Sequence, residues 1–139
     1  MKDYTWLDME KTPWQPKKAI LAAFFVAFGI KLFLFDIMIA EGRSMEPAIP
    51  EGTVLLINRL AYGFRLPLAK GYILFWALPK KGDIIVFSGP GGHAVVKRCA
   101  EIREGTFIAL GDNALDSYDS RNYGTVPIEH ILGKVVGRQ

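Results

Sequence analysis

The chain has 139 residues, of which half are hydrophobic and 12% aromatic, and its net charge is +3. That length holds one compact domain, and so apolar a composition excludes a disordered chain. The basic residues are scattered rather than gathered in one Lys/Arg block, which argues against a nucleic-acid partner. A single cysteine, Cys99, excludes an intramolecular disulfide and a paired-cysteine metal site. The two histidines, His93 and His130, are too far apart in sequence to suggest a histidine metal cluster. No metal or other cofactor is expected.

From Ala19 to Ala40 the sequence reads AILAAFFVAFGIKLFLFDIMIA, with only Lys31 and Asp36 interrupting 22 residues. A helix of that length suits a bilayer, and its apolar residues surround the whole circumference instead of forming one stripe. Lys17 and Lys18 precede it, with Lys2 and Lys11 further upstream. By the positive-inside rule the N-terminus is cytoplasmic and everything after the span is outside. Lys31 lies past the midpoint, where its stem reaches the outer headgroups. The expected organisation is a cytoplasmic segment 1–17, a single-pass anchor 18–36 and an extracytoplasmic domain 37–139. A cleaved secretory signal is the competing reading, but no good small-x-small site follows the run.

Beyond Ile37 short apolar runs alternate with Gly and Pro. Thr53–Asn58, Asp83–Phe87, His93–Cys99, Thr106–Leu110 and Ile131–Val136 read as strands, with turns at Pro50–Gly52, Lys81–Asp83 and Gly89–Gly92. Five or more such strands predict a mostly β domain, a small antiparallel sandwich or barrel. Within residues 60–79 (LAYGFRLPLAKGYILFWALP), Tyr72–Leu78 is apolar without clear alternation. These residues fit either a core strand or cover loop, or a surface that dips into lipid.

Four stretches could carry chemistry. Ser44 stands in Gly42-Arg43-Ser44-Met45-Glu46-Pro47, a shaped loop that exposes a hydroxyl and leaves backbone N–H groups free, as a nucleophile with an oxyanion hole requires. Lys97 lies in the strand His93–Cys99, and alternation puts it on the face of Val95 and Cys99 while Arg98 points the other way. An ordinary lysine, with a pKa near ~10.4, is charged at neutral pH. Such a lysine is either a solvated edge residue or, if burial among apolar neighbours lowers its pKa, a general base. The Gly/Asp/Asn/Ser-rich segment Gly111–Gly124 is too polar for core; in it Asp119 and Arg121 are spaced to pair, and Ser117 could hold a neutral amine. Lys80–Phe87, a turn feeding a buried strand, reads as structural.

In this order the four stretches resemble the type I signal peptidase family. The serine box is similar to Gly42–Pro47, the Gly-Asp-Ile-Val-hydrophobic box to Gly82–Phe87 and the Lys-Arg box to Val96–Arg98. Gly111–Asn113 with Ser117–Gly124 is similar to the last box, which is long enough to be specific. The resemblance implies Ser44 as nucleophile, Lys97 as general base and Ser117 as the group orienting the Lys97 amine. It implies a supporting ion pair of Asp119 with Arg121, and an oxyanion donor in the Ser44 N–H. It implies shallow pockets shaped by Ala40, Met45, Ile49, Val95 and Val96. The substrate would be the signal peptide of an exported preprotein, cut after small residues at −1 and −3, by an enzyme of the bacterial cytoplasmic membrane. Gly42 stands where some members carry a serine that completes the oxyanion hole, so the second donor is open. The family's Pro-Gly-Asp after the Lys-Arg box is absent. Only 13 residues, Arg98 to Leu110, separate Lys97 from the last box, so a minimal core without the second β domain of larger members is expected.

A maturation peptidase for pilins of conjugative systems would use the same dyad, and a non-catalytic membrane adaptor would use none. A Ser/His variant needs histidine in the Lys97 place, and His93 lies four residues early.

Overall fold

The β-branched runs become strands, and the turn residues between them reverse the chain. The computed structural model describes residues 15–66 and 71–139. After a helix α1 (Pro16–Phe33) come β1 (Phe35–Ile39), β2 (Val54–Asn58), β3 (Gly63–Phe64), β4 (Leu74–Phe75), β5 (Ile84–Ser88), β6 (Ala94–Arg103) and β7 (Thr106–Leu110). A four-residue helix α2 (Ser120–Tyr123), β8 (Val126–Pro127), a 3-10 turn and β9 (Ile131–Arg138) complete the chain. Seven strands form one antiparallel sheet in the order β1-β2-β9-β5-β6-β7-β8, while β3 and β4 make a separate hairpin. Register shifts in the β2–β9, β5–β9 and β6–β7 pairs bend the sheet, as bulges do. The expected mostly β domain is therefore present, as one curled antiparallel sheet.

Two apolar clusters fill it. The larger joins Tyr62, Ile85, Phe87, Cys99, Phe107 and Ile131, with Phe87 and Phe107 edge to face at 5.5 Å. The smaller joins Ala40, Met45, Ile49 and Leu55, with Met38, Ile84 and Val96 packed against it. Val95 packs on the first cluster and Val96 on the second, as strand alternation requires. Asp83 ties the sheet to the hairpin side: its carboxylate accepts from the Tyr62 hydroxyl at 2.8 Å and the Lys80 N–H at 3.0 Å, and pairs with Lys134 at 2.7 Å. That is the structural part expected of this stretch.

The apolar run divides differently from the expectation. The helix ends at Phe33, and β1 begins at Phe35, so Asp36 is a strand residue opposite Ile57. The cause is pairing: Leu34 O accepts the Arg59 N–H at 2.9 Å, and Arg59 Nη1 reaches Asp36 Oδ2 at 3.3 Å. Sheet formation thus claims the last residues of the expected span 18–36. α1 has 18 residues and three lysines, and no helix among the described residues is long and apolar enough to cross a membrane. Most of the expected cytoplasmic segment 1–17 lies outside the described residues.

α1 packs chiefly against β1, and Ile20, Leu21, Phe24, Phe25, Val26, Phe28 and Ile30 are all exposed. The outer face of β1 and β2 continues this surface with exposed Phe35, Ile37, Ile39, Val54 and Leu56. In residues 60–79, of which 67–70 lie outside the described set, Tyr62 is buried while Ile73, Leu74, Phe75, Trp76 and Leu78 are exposed. The segment is a hairpin held by its tyrosines with an apolar row facing outward, not a core strand. At the far end of the sheet, β6 and β7 meet in a tight turn at Glu104 and Gly105 (φ +67).

Candidate active site

The loop between β1 and β2 carries Ser44. Its base is closed by Ala40 N–H to Thr53 O at 2.9 Å and Gly52 N–H to Ala40 O at 2.8 Å. Within it, Gly42 has φ +77, a left-handed conformation that glycine takes without strain. The Gly42 N–H donates to Glu51 Oε1 at 3.1 Å. Beyond the serine, Met45 and Ile49 are buried in the smaller cluster, so the two residues that follow the turn inward anchor it. Ser44 is held half-buried at the loop's inner edge.

Lys97 comes from β6 and is 4% exposed. Its Nζ lies 2.5 Å from Ser44 Oγ, although 53 residues separate the two in sequence. Burial pushes the Lys97 amine below its usual pKa of 10.5; Asp119 opposes the shift and Arg121 adds to it. A buried amine at hydrogen-bond distance from a hydroxyl can accept its proton once neutral.

Asp119 is fully buried and collects five donors. These are the Gly111 N–H (2.8 Å), Ser117 Oγ (2.6 Å), the Arg121 N–H (3.1 Å), Arg121 Nε (2.9 Å) and Arg121 Nη2 (2.6 Å). They hold its carboxyl far below the ordinary range against the opposing effect of burial. The expected pair of Asp119 with Arg121 is thus two-pronged, and Asp119 also caps α2. Ser117, expected to orient the Lys97 amine, donates its hydrogen to Asp119; its lone pairs stay available to an amine.

Gly111 sits between the two halves of the site. A methyl group there would overlap the Ser117 side chain and lie 2.6 Å from Ser44 O. Gly111→Ala is therefore expected to push the Ser44 and Ser117 loops apart and lower turnover by about a hundredfold, with little change in far-UV circular dichroism. Turnover within threefold of wild type would show that the loops give way freely.

Some contacts are not legible in the sequence. Arg98 grips Asp112 with two bonds, Nε to Oδ1 at 2.8 Å and Nη2 to Oδ2 at 2.7 Å, and bonds Gly82 O at 3.0 Å. The Asn113 N–H donates to Ser44 O at 3.0 Å. Adjacent residues of β6 thereby serve both sides: Lys97 meets Ser44, and Arg98 clamps the segment that touches Ser44 from behind. The only sequence signal was the outward direction of Arg98.

Beside the Ser44/Lys97 pair lies a cavity of about 760 Å³ whose lining includes Ala40, Met45, Ile49, Val95 and Val96, the five residues expected to shape pockets. Two strand edges flank it. β1 bonds to β2 through Ala40, so alternation turns the N–H and C=O of Ile39 and Glu41 away from β2. β6 bonds to β5 through His93 and Cys99, so the polar groups of Val96 face the other side, which β7 reaches only from Arg98 onward. Counting antiparallel neighbours along the sheet, β1 and β6 run in the same direction.

A family model described as signal peptidase, peptidase S26, matches residues 14–100 and 93–138. Signal peptidase I of Haemophilus influenzae is 34% identical over 113 residues, covering 78% of this chain and 30% of that protein. Signal peptidase I of Bacillus caldolyticus is 27% identical over 79% of this chain and 82% of its own length. Mitochondrial inner membrane protease subunit 1 of Xenopus tropicalis is 33% identical over 74% and 68%. The chain thus spans most of the Bacillus relative and under a third of the Haemophilus one.

Proposed function

The chain belongs to the signal peptidase family, peptidase S26, and we propose that it removes N-terminal signal peptides from exported preproteins with Ser44 as nucleophile and Lys97 as general base. The observation that carries this reading is the 2.5 Å approach of a buried lysine amine to a serine hydroxyl beside an apolar cavity.

Neutral Lys97 accepts the Ser44 proton as Oγ attacks the scissile carbonyl, and the resulting ammonium protonates the leaving amine. Water then attacks the acyl-enzyme, passing its proton to Lys97. The Ser44 N–H donates to the oxyanion, while the Gly42 N–H is already held by Glu51. Ser117 keeps its own hydrogen on Asp119, so its lone pairs are open to the Lys97 amine, whose hydrogen bond in the structure goes to Ser44. An extended peptide fits between the open edges of β1 and β6, bonded to Ile39 and Val96. Side chains at −1 and −3 then face walls of Ala40, Met45, Ile49, Val95 and Val96, which leave room for small residues.

α1 is the membrane anchor in this reading. Its apolar residues face outward around most of the circumference, where no protein covers them. Lys18 and Lys31 lie about 20 Å apart along it, and their stems can carry both charges to opposite headgroup layers. The lysines at its start put that end in the cytoplasm, and the exposed apolar row of β1, β2 and the β3–β4 hairpin lies against the outer leaflet. The peptidase domain is then extracytoplasmic.

The test uses the full chain in detergent with a preprotein bearing alanine at −3 and −1. The expected result is one cut after −1, read by product mass, with a rate that climbs as pH rises. The sign follows from the base: only neutral Lys97 is active, so kcat/KM grows tenfold per pH unit below the Lys97 pKa. It levels off above that pKa, which lies under 10.5. No cleavage of such preproteins between about pH 6 and 10 would sink the reading.

A further inference from the structure

The loop that carries Ser44 is held differently on its two sides. Beyond the serine, the Asn113 N–H bonds Ser44 O at 3.0 Å and the Ile49 N–H bonds Met45 O at 2.8 Å. The Met45 and Ile49 side chains are buried there. Before the serine, the chain passes through Gly42, whose φ of +77 lies in a region that glycine enters freely. The Gly42 N–H donates to Glu51 Oε1 at 3.1 Å. This bond joins the limb that enters the loop to the limb that leaves it.

Glu51 is presented from a fixed turn. Thr53 bonds Pro50 O through Oγ1 at 2.7 Å and through its N–H at 3.2 Å, and the Gly52 N–H bonds Ala40 O at 2.8 Å. The backbone on both sides of Glu51 is therefore tied down. Its side chain is exposed and is not among those lining the large cavity, so any effect on the reaction passes through the loop. The Glu51 carboxylate also lies within electrostatic reach of the Arg43 guanidinium, as do Glu46 and Asp116.

What the bond controls is the direction of one N–H. The Ser44 N–H belongs to the peptide unit between Arg43 and Ser44, and rotation about Gly42 and Arg43 swings that unit. A donor that swings away from the developing oxyanion stabilises the transition state less, while substrate binding is unchanged.

We propose that Glu51 is a positioning residue for the reaction, its carboxylate holding Gly42 so that the Ser44 N–H and Oγ stay aimed at the scissile carbonyl. The proposal rests on the signal-peptide reading given above.

The experiment measures kcat and KM for a preprotein with alanine at −3 and −1, cleaved by the full chain in detergent. Glu51→Ala deletes the acceptor. Glu51→Asp keeps the charge but shortens the reach by one methylene, and Glu51→Gln keeps an acceptor oxygen without the charge. Glu51→Ala and Glu51→Asp are expected to lower kcat about tenfold, with KM within twofold of wild type. Glu51→Gln is expected to restore kcat to within about threefold of wild type. All three should melt within about 2 °C of wild type, because an exposed side chain carries little of the stability. Glu51→Ala with kcat within twofold of wild type overturns the proposal. Glu51→Gln as slow as Glu51→Ala also overturns it, since the hydrogen bond would then not be what acts. A rise in kcat for Glu51→Ala would show that Glu51 withholds the Gly42 N–H from the oxyanion, which is the opposite role. No cleavage by wild type would instead tell against the signal-peptide reading, and with it remove the reaction that Glu51 serves.

Discussion

Ser44→Ala and Lys97→Ala are each expected to lower preprotein cleavage by at least about 10³-fold while leaving the fold intact. Ser44 Oγ is the only group that would bond to the scissile carbon, so its loss removes the acyl-enzyme route altogether. Lys97 is 4% exposed and 2.5 Å from that oxygen, so truncating it leaves the hydroxyl without a proton acceptor. Because the truncation removes a buried amine rather than a packed apolar group, it is not expected to destabilise the domain. Lys97→Arg is the sharper variant. A guanidinium stays charged at every working pH, so activity should be lost even though the positive charge is kept. Cleavage is followed by product mass, and folding by circular dichroism and thermal melting. Activity surviving in Lys97→Ala would move the base elsewhere, first to His93, which lies four residues back along the same segment.

Asp119→Ala is expected to be the most destabilising single change in the site, by about 3 kcal/mol, or roughly 10 °C in Tm. The carboxylate is fully buried and gathers the Gly111 and Arg121 N–H groups, the Ser117 hydroxyl and the guanidinium. Removing it strands buried donors, whereas the half-exposed Arg121 side chain can turn to water and loses less. The pH dependence follows in sign. Asp119 has a folded pKa well below the ordinary 3.8, so its contribution is complete above about pH 4 and is lost as pH falls further. Wild type should therefore lose stability on acidification below that point, and Asp119→Ala should show a flatter profile. Arg121→Ala separates the electrostatic role. It frees Asp119 to favour the Lys97 ammonium and removes a repelling charge, so the pH–rate curve should shift to more alkaline values. An unchanged curve would mean that Arg121 acts only as a brace.

Strand positions were legible because each expected run was rich in β-branched residues and bounded by glycine on at least one side. β2, β5, β7 and β9 lie within a few residues of the expected bounds. β6 runs four residues further, to Arg103, because a bulge near Cys99 lets it continue alongside β7. The start of β1 was hidden by its own composition: Phe35–Ile39 is as apolar as the helix before it, and only pairing with β2 decides where helix ends. β3, β4, β8 and α2 are two to four residues long, too short for any periodicity to register. Each site residue could be named singly, but the distances between them depend on sheet curvature. No sequence pattern indicates that Arg98 on β6 clamps Asp112, two residues past the end of β7, or that Glu51 reaches back to Gly42. Ser117 shows the same limit from the other side, since its partner Asp119 is two residues away yet buried by contacts from Gly111.

The turn at Glu104 and Gly105 has a bearing on how such a chain can grow. It is exposed, its flanking residues Arg103 and Thr106 are paired with each other, and Lys97 lies six residues away, about 20 Å along the strand. A folded insert whose ends lie close together could replace those two residues without altering the register that presents the lysine, since closing a longer loop costs little extra entropy. The hairpin is thus a place where added chain would leave the presentation of the lysine unchanged.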